Sequence, residues 1–367
     1  MSLRVLVVDD TVVFRRVVSD ALAGLAGVEV VGTASNGNLA LSRIACLQPD
    51  LVTLDIEMPE KNGIEVLEAM RAQGLHAGVI VLSSLTKRGG EMTVRALELG
   101  AFDFITKPEG GAPAANIARL RDMLQPVIRA FEQRRDVRMM LRGQFTPAPR
   151  PAVAPAPPVP ARPHPVIPRR PRVGPPLVLI GVSTGGPAAL ASLLPALPAD
   201  LGAPVLIVQH MPALFTGPLA ESLDRKSAMR VSEAGDGAIA LRNGAYLAPG
   251  GRQMKLEAGP RGEVTLRLTD DPPENGCRPA VDYLFRSAAL HFPGRSVAVI
   301  LTGMGNDGTA GLRLLKRTGC VSIAQDEASC VVFGMPKEAI AAGLVDRIAP
   351  LNRVAEAIIR AVREGAA

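Results

Sequence analysis

The sequence predicts an α/β protein built from two doubly wound parallel-sheet domains, and three observations carry that expectation. Short apolar, β-branched runs such as Val205-Leu206-Ile207-Val208 and Val297-Ala298-Val299-Ile300-Leu301 recur along the 367 residues. They are continuous rather than alternating, which is the pattern of strands covered on both faces. Helical periodicity fills the gaps between them. A segment crowded with Pro, Ala and Arg then splits this alternation into two parts of ordinary domain size.

In the first part, strands are expected at Arg4–Val8, Glu29–Thr33, Leu51–Leu54, Gly78–Leu82 and Asp103–Ile105. Helices are expected around Thr11–Gly24, Gly37–Leu47, Gly63–Gln73, Gly89–Leu99 and Ala115–Leu141, with Pro126 a breaking point in the last. Five such units argue for a parallel sheet with helices on both faces. Residues 143–176 lack apolar periodicity and read as an extended, partly polyproline-type tether, with docking on an acidic partner as a second reading. Beyond it, apolar runs at Leu177–Ile180, Val205–Val208 and Val297–Leu301 predict strands. The Gly-rich, alternating stretch Gly244–Leu268 predicts a β-hairpin insertion, and Thr309–Arg317, Lys337–Ala342 and Arg353–Arg363 predict closing helices. The expected division is 1–125 for the first domain, 126–175 for a helix extension and Pro/Arg-rich linker, and 176–367 for the second domain.

Composition narrows the function classes. Aromatic residues make up 3% of the chain, so both cores must be built from Leu, Val, Ile and Ala. The net charge is +6, yet nine arginines and a single acid, Asp136, lie between Arg134 and Arg172. That segment contributes +8 and leaves −2 for everything else, so the average says little for a nucleic-acid partner. No apolar run has the length of a membrane span, so no direct membrane insertion is expected. The first ten residues read as a strand running into two acids rather than as a secretion signal. Cys46, Cys277, Cys320 and Cys330 form no CxxC or Cys/His spacing and are read as reduced thiols of a cytoplasmic protein.

Two sets of residues carry chemistry. Asp9 and Asp10 follow the first strand, Asp55 ends the third, Ser83 follows the fourth and Lys107 follows the fifth. Carboxyl ends of parallel strands lie along one edge, so these five can converge. Three carboxylates there repel one another and supply the hard oxygen ligands that Mg²⁺ takes. A carboxylate can also accept a phosphoryl group by nucleophilic attack, with Lys107 and Ser83 positioned for its oxygens. Taken singly, each has a plainer reading, Asp9-Asp10 as a helix cap and Asp55 as a loop acid; only the set argues for a site.

The second set is Gly181-Val182-Ser183-Thr184-Gly185-Gly186, Gln209-His210-Met211-Pro212 and Thr302-Gly303-Met304-Gly305-Asn306-Asp307-Gly308. Ser183 sits in a G-x-S-x-G turn between a strand and a helix, where helix N–H groups can meet an oxyanion. Serine needs a base, and of four histidines only His210 follows a strand in this domain; His164 lies in the linker, and His76 and His291 near helix ends. Asp307 can orient that base. The order Ser, His, Asp differs from the Ser, Asp, His order of α/β-hydrolases. Each motif alone also admits a phosphate loop, a packed histidine or a simple turn.

Residues 1–125 resemble the receiver domain of response regulators, and 176–363 closely resemble the catalytic domain of the chemotaxis protein-glutamate methylesterases. The shared words in the second are Gly181–Gly186, Gln209–Pro212 with Phe215-Thr216, Tyr246–Gly251, Leu301–Gly305 and Arg278–Asp282. Thr11 and Ala280 stand where these families more often carry Ser. The resemblance implies a flavodoxin-like receiver and a Rossmann-like methylesterase domain. It implies Asp55 as phosphoryl acceptor, with Asp9, Asp10, Asp55 and the Glu57 main chain holding Mg²⁺, and Ser83, Phe104 and Lys107 as the switch. It implies Ser183, His210 and Asp307 as a triad without a cofactor of its own, with Thr184 and the Met304 main chain shaping the oxyanion side. The expected activity is phosphorylation-controlled hydrolysis of glutamate methyl esters on methyl-accepting chemoreceptors, with deamidation of receptor glutamines. The expected phosphodonor is a histidine kinase of the pathway. Two rivals stand beside it: a receiver-bearing transcription regulator, and a related hydrolase of another chemosensory pathway.

Overall fold

In the computed structural model, which describes residues 2–141 and 176–364, the chain forms two parallel sheets flanked by helices and one small antiparallel hairpin. The Pro/Arg-rich tether expected at 143–176 lies, but for its last residue, outside the described residues.

The first sheet uses β1 (Leu3–Val8), β2 (Val28–Ala34), β3 (Leu51–Asp55), β4 (Gly78–Ser83) and β5 (Asp103–Thr106) in the order β2-β1-β3-β4-β5, all parallel. The helices α1 (Val12–Ala23), α2 (Gly37–Leu47), α3 (Gly63–Ala72), α4 (Lys87–Glu98) and α5 (Pro113–Leu141) cover it. Their starts are set by local chemistry. Asn36 accepts from the Leu39 N–H, Thr86 from the Gly89 N–H, and Asn62 with Glu65 closes a reciprocal box at α3. Each such cap stabilises its helix by about 1 kcal/mol. The break expected at Pro126 does not occur. Helix α5 runs through it, because Leu120, Leu124, Val127, Ile128 and Ala130 are buried on the face turned to the core and outweigh the missing N–H.

The second sheet contains β6 (Leu177–Val182), β7 (Val205–Gln209), β8 (Arg230–Glu233), β9 (Gly244–Leu247), β12 (Ser296–Ile300), β13 (Val321–Gln325) and β14 (Arg347–Ala349), in the order β14-β13-β12-β6-β7-β9-β8. All of its pairings are parallel. The flanking helices are α6 (Gly186–Leu193), α7 (Ala213–Asp224), α8 (Val281–His291), α9 (Thr309–Arg317), α10 (Met335–Ala341) and α11 (Leu351–Glu364). The hairpin pairs β10 (Gln253–Ala258) with β11 (Val264–Thr269). It is shorter than expected from the sequence: Gly244–Leu247 belongs to the main sheet. Its Gly-Ala-Tyr-Leu pattern does not distinguish a parallel strand from a hairpin arm.

The two domains share a seam. Helix α4 packs on α7, and the Phe104 ring lies 4.6 Å from Phe215, tilted by 43°. Ser222 Oγ donates to Glu98 Oε1 at 2.7 Å, and Lys226 Nζ meets Glu98 Oε2 at 2.6 Å. A Cβ at Gly90 would lie 2.5 Å from the Leu214 carbonyl oxygen, so only glycine lets α4 come this close. One apolar cluster therefore runs from Val81 and Leu97 through Phe104 to Phe215 and Leu219.

Candidate active site and phosphoacceptor pocket

Strands β12, β6 and β7 lie side by side, and the three triad candidates follow them. Ser183 stands one residue past β6, in the turn that starts α6. Its N–H donates to the Thr302 carbonyl at 3.0 Å, and its carbonyl accepts from Gly186 N–H at 2.7 Å. A Cβ on Gly303 would lie 2.8 Å from Ser183 Cβ and 2.5 Å from Met335 Sδ, so the β12 loop passes the serine only as glycine.

Asp307 is buried and heavily solvated by the protein itself. Its carboxylate accepts from the N–H groups of Val281 at 2.7 Å, Asp282 at 3.0 Å and Gly308 at 3.0 Å, and from Asn275 Nδ2 at 3.1 Å. Two of these N–H groups open α8, so the carboxylate also sits on a helix N-terminus. Burial alone would raise its pKa; the His210 bond and these amides overcome that and hold it below the usual range. Beside it, burial raises Asp282, which Gly311 N–H counters.

His210 Nε2 meets Asp307 Oδ2 at 2.7 Å, and its Nδ1 faces Cys277 Sγ at 3.5 Å. Burial disfavours the imidazolium, but the bonds to Asp307 and Cys277 outweigh it and push His210 up to about 9. Cys277 Sγ also lies 3.7 Å from the Asn275 carbonyl, within reach of a sulfur hydrogen bond. No hydrogen bond joins the Ser183 hydroxyl to His210 among the described residues. Ser183 and His210 instead line one cleft of about 610 Å³.

The cleft has a wall from the other domain: Leu97, Asp103, Phe104, Ile105 and Thr106 line it. Thr184 Oγ1 donates to Asp103 Oδ2 at 2.7 Å, so the hydroxyl expected to shape the oxyanion side is held by the first domain. Loss of solvent at the seam raises Asp103 to about 6, against the opposing Thr184 and Phe104 hydrogen bonds. The Met304 side chain packs with Val331 and Val332 against the core around α5, and its amide has no acceptor among the described residues.

At the edge of the first sheet, Lys107 Nζ bridges Asp9 Oδ2 at 2.7 Å and Asp55 Oδ2 at 2.8 Å. Thr11 supplies its N–H and hydroxyl to Asp9 Oδ1, and the Glu57 N–H reaches Asp55 Oδ1 at 3.2 Å. Burial raises Asp55 to about 6, with Lys107 opposing and Asp9 adding to the rise. Burial works against the Lys107 charge, yet Asp55 and Asp9 prevail and raise it. Oxygen atoms of Asp9, Asp10 and Asp55 lie within 4.8 Å of one another, an all-oxygen set that fits Mg²⁺. Ser83 is buried, with its hydroxyl on the Gly89 and Ser84 carbonyls at 3.3 and 3.2 Å and receiving Thr93 Oγ1 at 2.8 Å. It is thus tied to α4 and makes no hydrogen bond to Asp55 among the described residues.

Sequence reasoning missed four contributors. Gln209 Nε2 donates to the carbonyls of both Ser183 (3.0 Å) and His210 (3.1 Å), pinning the two turns together. Asn275 bridges Asp282 and Asp307. Cys277 caps the imidazole, and Asp103 holds Thr184. Gln209 adjoins His210 in the sequence; Asn275 and Cys277 lie between named elements, without periodicity that could have marked them, and Asp103 opens β5, whose pattern says nothing of a partner in the other domain.

Two family models match the chain, CheB methylesterase over residues 178–358 and response regulator receiver domain over 5–118. The chain is 49% identical over 363 residues to the protein-glutamate methylesterase/protein-glutamine glutaminase of Desulfotalea psychrophila, covering 99% of each. Identity to the protein of the same name in Bacillus subtilis is 42% over 368 residues, again with 99% of each covered. The crystal structure of the Thermotoga maritima CheB methylesterase catalytic domain superposes with a TM-score of 0.50 at 42% identity, covering 51% of this chain and 99% of that one.

Proposed function

The chain belongs to the CheB methylesterase family and carries a response regulator receiver domain, and on that premise we propose that Ser183, His210 and Asp307 perform its ester and amide hydrolysis. It is a protein-glutamate methylesterase and protein-glutamine glutaminase of chemotaxis adaptation. The observation that carries the triad is the 2.7 Å His210–Asp307 bond, made in the cleft that Ser183 also lines.

Asp307 occupies Nε2, which leaves Nδ1 to take the serine proton. Ser183 Oγ attacks the side-chain carbonyl carbon of a glutamyl methyl ester as Nδ1 accepts its proton. The tetrahedral intermediate collapses, Nδ1–H protonates the leaving oxygen, and methanol departs from an acyl-serine. Water, deprotonated by the same nitrogen, then releases the carboxylic acid and restores Ser183. With a glutamine side chain the leaving group is ammonia. The N–H groups at the start of α6 and the Met304 amide are the candidate oxyanion donors, and Thr184 joins them once Asp103 lets go.

The docked receiver makes that site unready. It walls the cleft, it holds Thr184, and His210 Nδ1 is turned to Cys277 rather than to Ser183. A histidine kinase supplies the phosphoryl group for Asp55, and a methylated chemoreceptor supplies the substrate. Asp9, Asp10, Asp55 and the Glu57 carbonyl would hold Mg²⁺, which neutralises charge on the incoming phosphoryl oxygens. A phosphoryl group on Asp55 draws the Lys107 ammonium and attracts the Ser83 hydroxyl. Ser83 must then leave the Gly89 carbonyl, which loosens the start of α4, and Phe104 beside it leaves Phe215. The deciding test is methanol release from methylated receptor by Ser183→Ala. A rate within about tenfold of wild type would rule out Ser183 as nucleophile.

A further inference from the structure

Among the described residues that line the cleft beside Ser183, the one carboxylate is Asp103, from the receiver, and the one Lys or Arg is Arg278, from the catalytic domain. Asp103 is engaged, by Thr184 Oγ1 and the Phe104 N–H. The exposed Arg278 guanidinium makes one hydrogen bond among the described residues, from Nη1 to the Asp270 carbonyl at 3.3 Å. The acids of its own segment are taken by other partners. Asp270 meets Arg252 Nε at 3.1 Å, Asp271 accepts from Tyr283, and Glu274 holds Arg286. A guanidinium carries several N–H donors in a planar fork that matches a carboxylate, and most of this fork is uncommitted. We infer that Arg278 binds a carboxylate of the receptor beside the reacting glutamyl side chain, and so selects which esters and amides are hydrolysed.

The side chain stands on a fixed base next to the chemistry. The Arg278 carbonyl accepts from the Gly251 N–H at 3.0 Å, and the Ala280 N–H donates to Gln253 Oε1 at 2.8 Å. One residue before it, Cys277 Sγ faces His210 Nδ1 at 3.5 Å. Neighbouring Cα atoms lie about 3.8 Å apart and one helical turn rises about 5.4 Å, so a carboxylate one turn from the reacting side chain falls within the arm of Arg278.

The reaction itself supplies the ligand. Ester and amide are neutral, and each turnover leaves a carboxylate on the receptor. A guanidinium beside the site stabilises an ester or amide whose neighbouring acid is already free. When the receiver withdraws, Asp103 leaves with it, and the selection belongs to the open enzyme. The inference rests on the proposed triad only for the place of the reacting atoms.

The test uses the full chain, activated with Mg²⁺ and beryllofluoride, on methylated receptor with a single glutamate methyl ester and either Glu or Ala one helical turn away. With wild type, kcat/KM should be about three- to tenfold higher beside Glu, chiefly through KM, and the preference should fade in about 0.5 M salt. Arg278→Ala should level the two receptors, Arg278→Lys should restore part of the difference, and Arg278→Glu should reverse it. A second measurement does not depend on turnover: affinity of the same two receptors for Ser183→Ala, with and without Arg278→Ala, should show the same preference and the same loss. Methanol release by Ser183→Ala would count against the triad alone and leave the comparison of Arg278 with Arg278→Ala intact. Equal kcat/KM and equal affinity for the two receptors with Arg278 present, or a preference that survives Arg278→Ala, would overturn the assignment.

Discussion

Asp103→Asn is expected to tighten the resting enzyme rather than loosen it. Asp103 reaches across the seam to Thr184 and is raised from 3.8 to about 6 by loss of solvent. A carboxyl group raised in the docked state favours docking fully below its undocked value and loses that contribution as pH rises through about 6. At neutral pH the docked state therefore carries an ionised group it disfavours. Two pKa units correspond to about 3 kcal/mol. Part of the shift persists after undocking, because the Phe104 N–H stays bonded to Asp103, so about 1 kcal/mol is the lower expectation. Asparagine removes the charge and keeps both contacts, with its oxygen on the Phe104 amide and its amide on Thr184 Oγ1. Basal methanol release at about pH 7.5 should fall by about fivefold at least, and by about a hundredfold at most. The assay compares full-length wild type and Asp103→Asn, resting and phosphorylated, from about pH 5 to 8. The ratio of phosphorylated to resting rate cancels the pH dependence of the chemistry. That ratio should fall with rising pH in wild type and stay level in the variant. A basal rate in Asp103→Asn equal to or above wild type at neutral pH would refute the reasoning.

Other outcomes follow from the same contacts. His210→Gln should lose activity by several orders of magnitude, and adding Asp307→Asn should cost little more, since the pair acts as a unit; a double variant far below His210→Gln would separate the two residues. Radiolabel transfer from a phosphodonor should disappear with Asp55→Asn and with a chelator, and label surviving both would place the acceptor elsewhere. Glu98→Ala removes the acceptor of both Ser222 and the half-exposed Lys226, so resting activity should rise about two- to fivefold. An unchanged rate in that variant would mean that the α4–α7 contacts do not set the docking equilibrium.

Much of the architecture was legible because the inner strands of these sheets, such as β3, β6, β7, β12 and β13, are covered on both faces. Runs such as Leu177–Ile180 and Val297–Leu301 cannot be mistaken for solvated segments, and glycine-rich turns mark their ends. The placement of Ser183 and His210 follows directly, since neighbouring parallel strands deliver their next residues to one edge; Asp307 comes seven residues after β12, in the glycine-rich segment that leads to α9. What the sequence withheld is of two kinds. Helix α7 carries Pro218, and the β8 and β14 strands have three or four residues, too few for a period to emerge. The remaining contacts, Asp103 with Thr184, Cys277 with His210 and Phe104 with Phe215, join residues 67 to 111 positions apart on unrelated elements. No local pattern encodes such meetings; they arise only when two finished surfaces are laid together.

The shared wall of the cleft has a consequence that runs against the usual direction of signalling. Residues of the receiver line the cleft beside Ser183, so a receptor that enters it as proposed competes with them for the same space. Whatever free energy phosphorylation contributes to admitting the receptor, the receptor must return to the phosphorylated form, because coupling between two binding equilibria is reciprocal. A receptor helix lodged in the cleft would free Phe104 from Phe215 and leave the Asp55 pocket easier to load. The enzyme would then register the abundance of its own substrate, binding a phosphoryl mimic such as beryllofluoride more tightly where receptors crowd than in dilute solution.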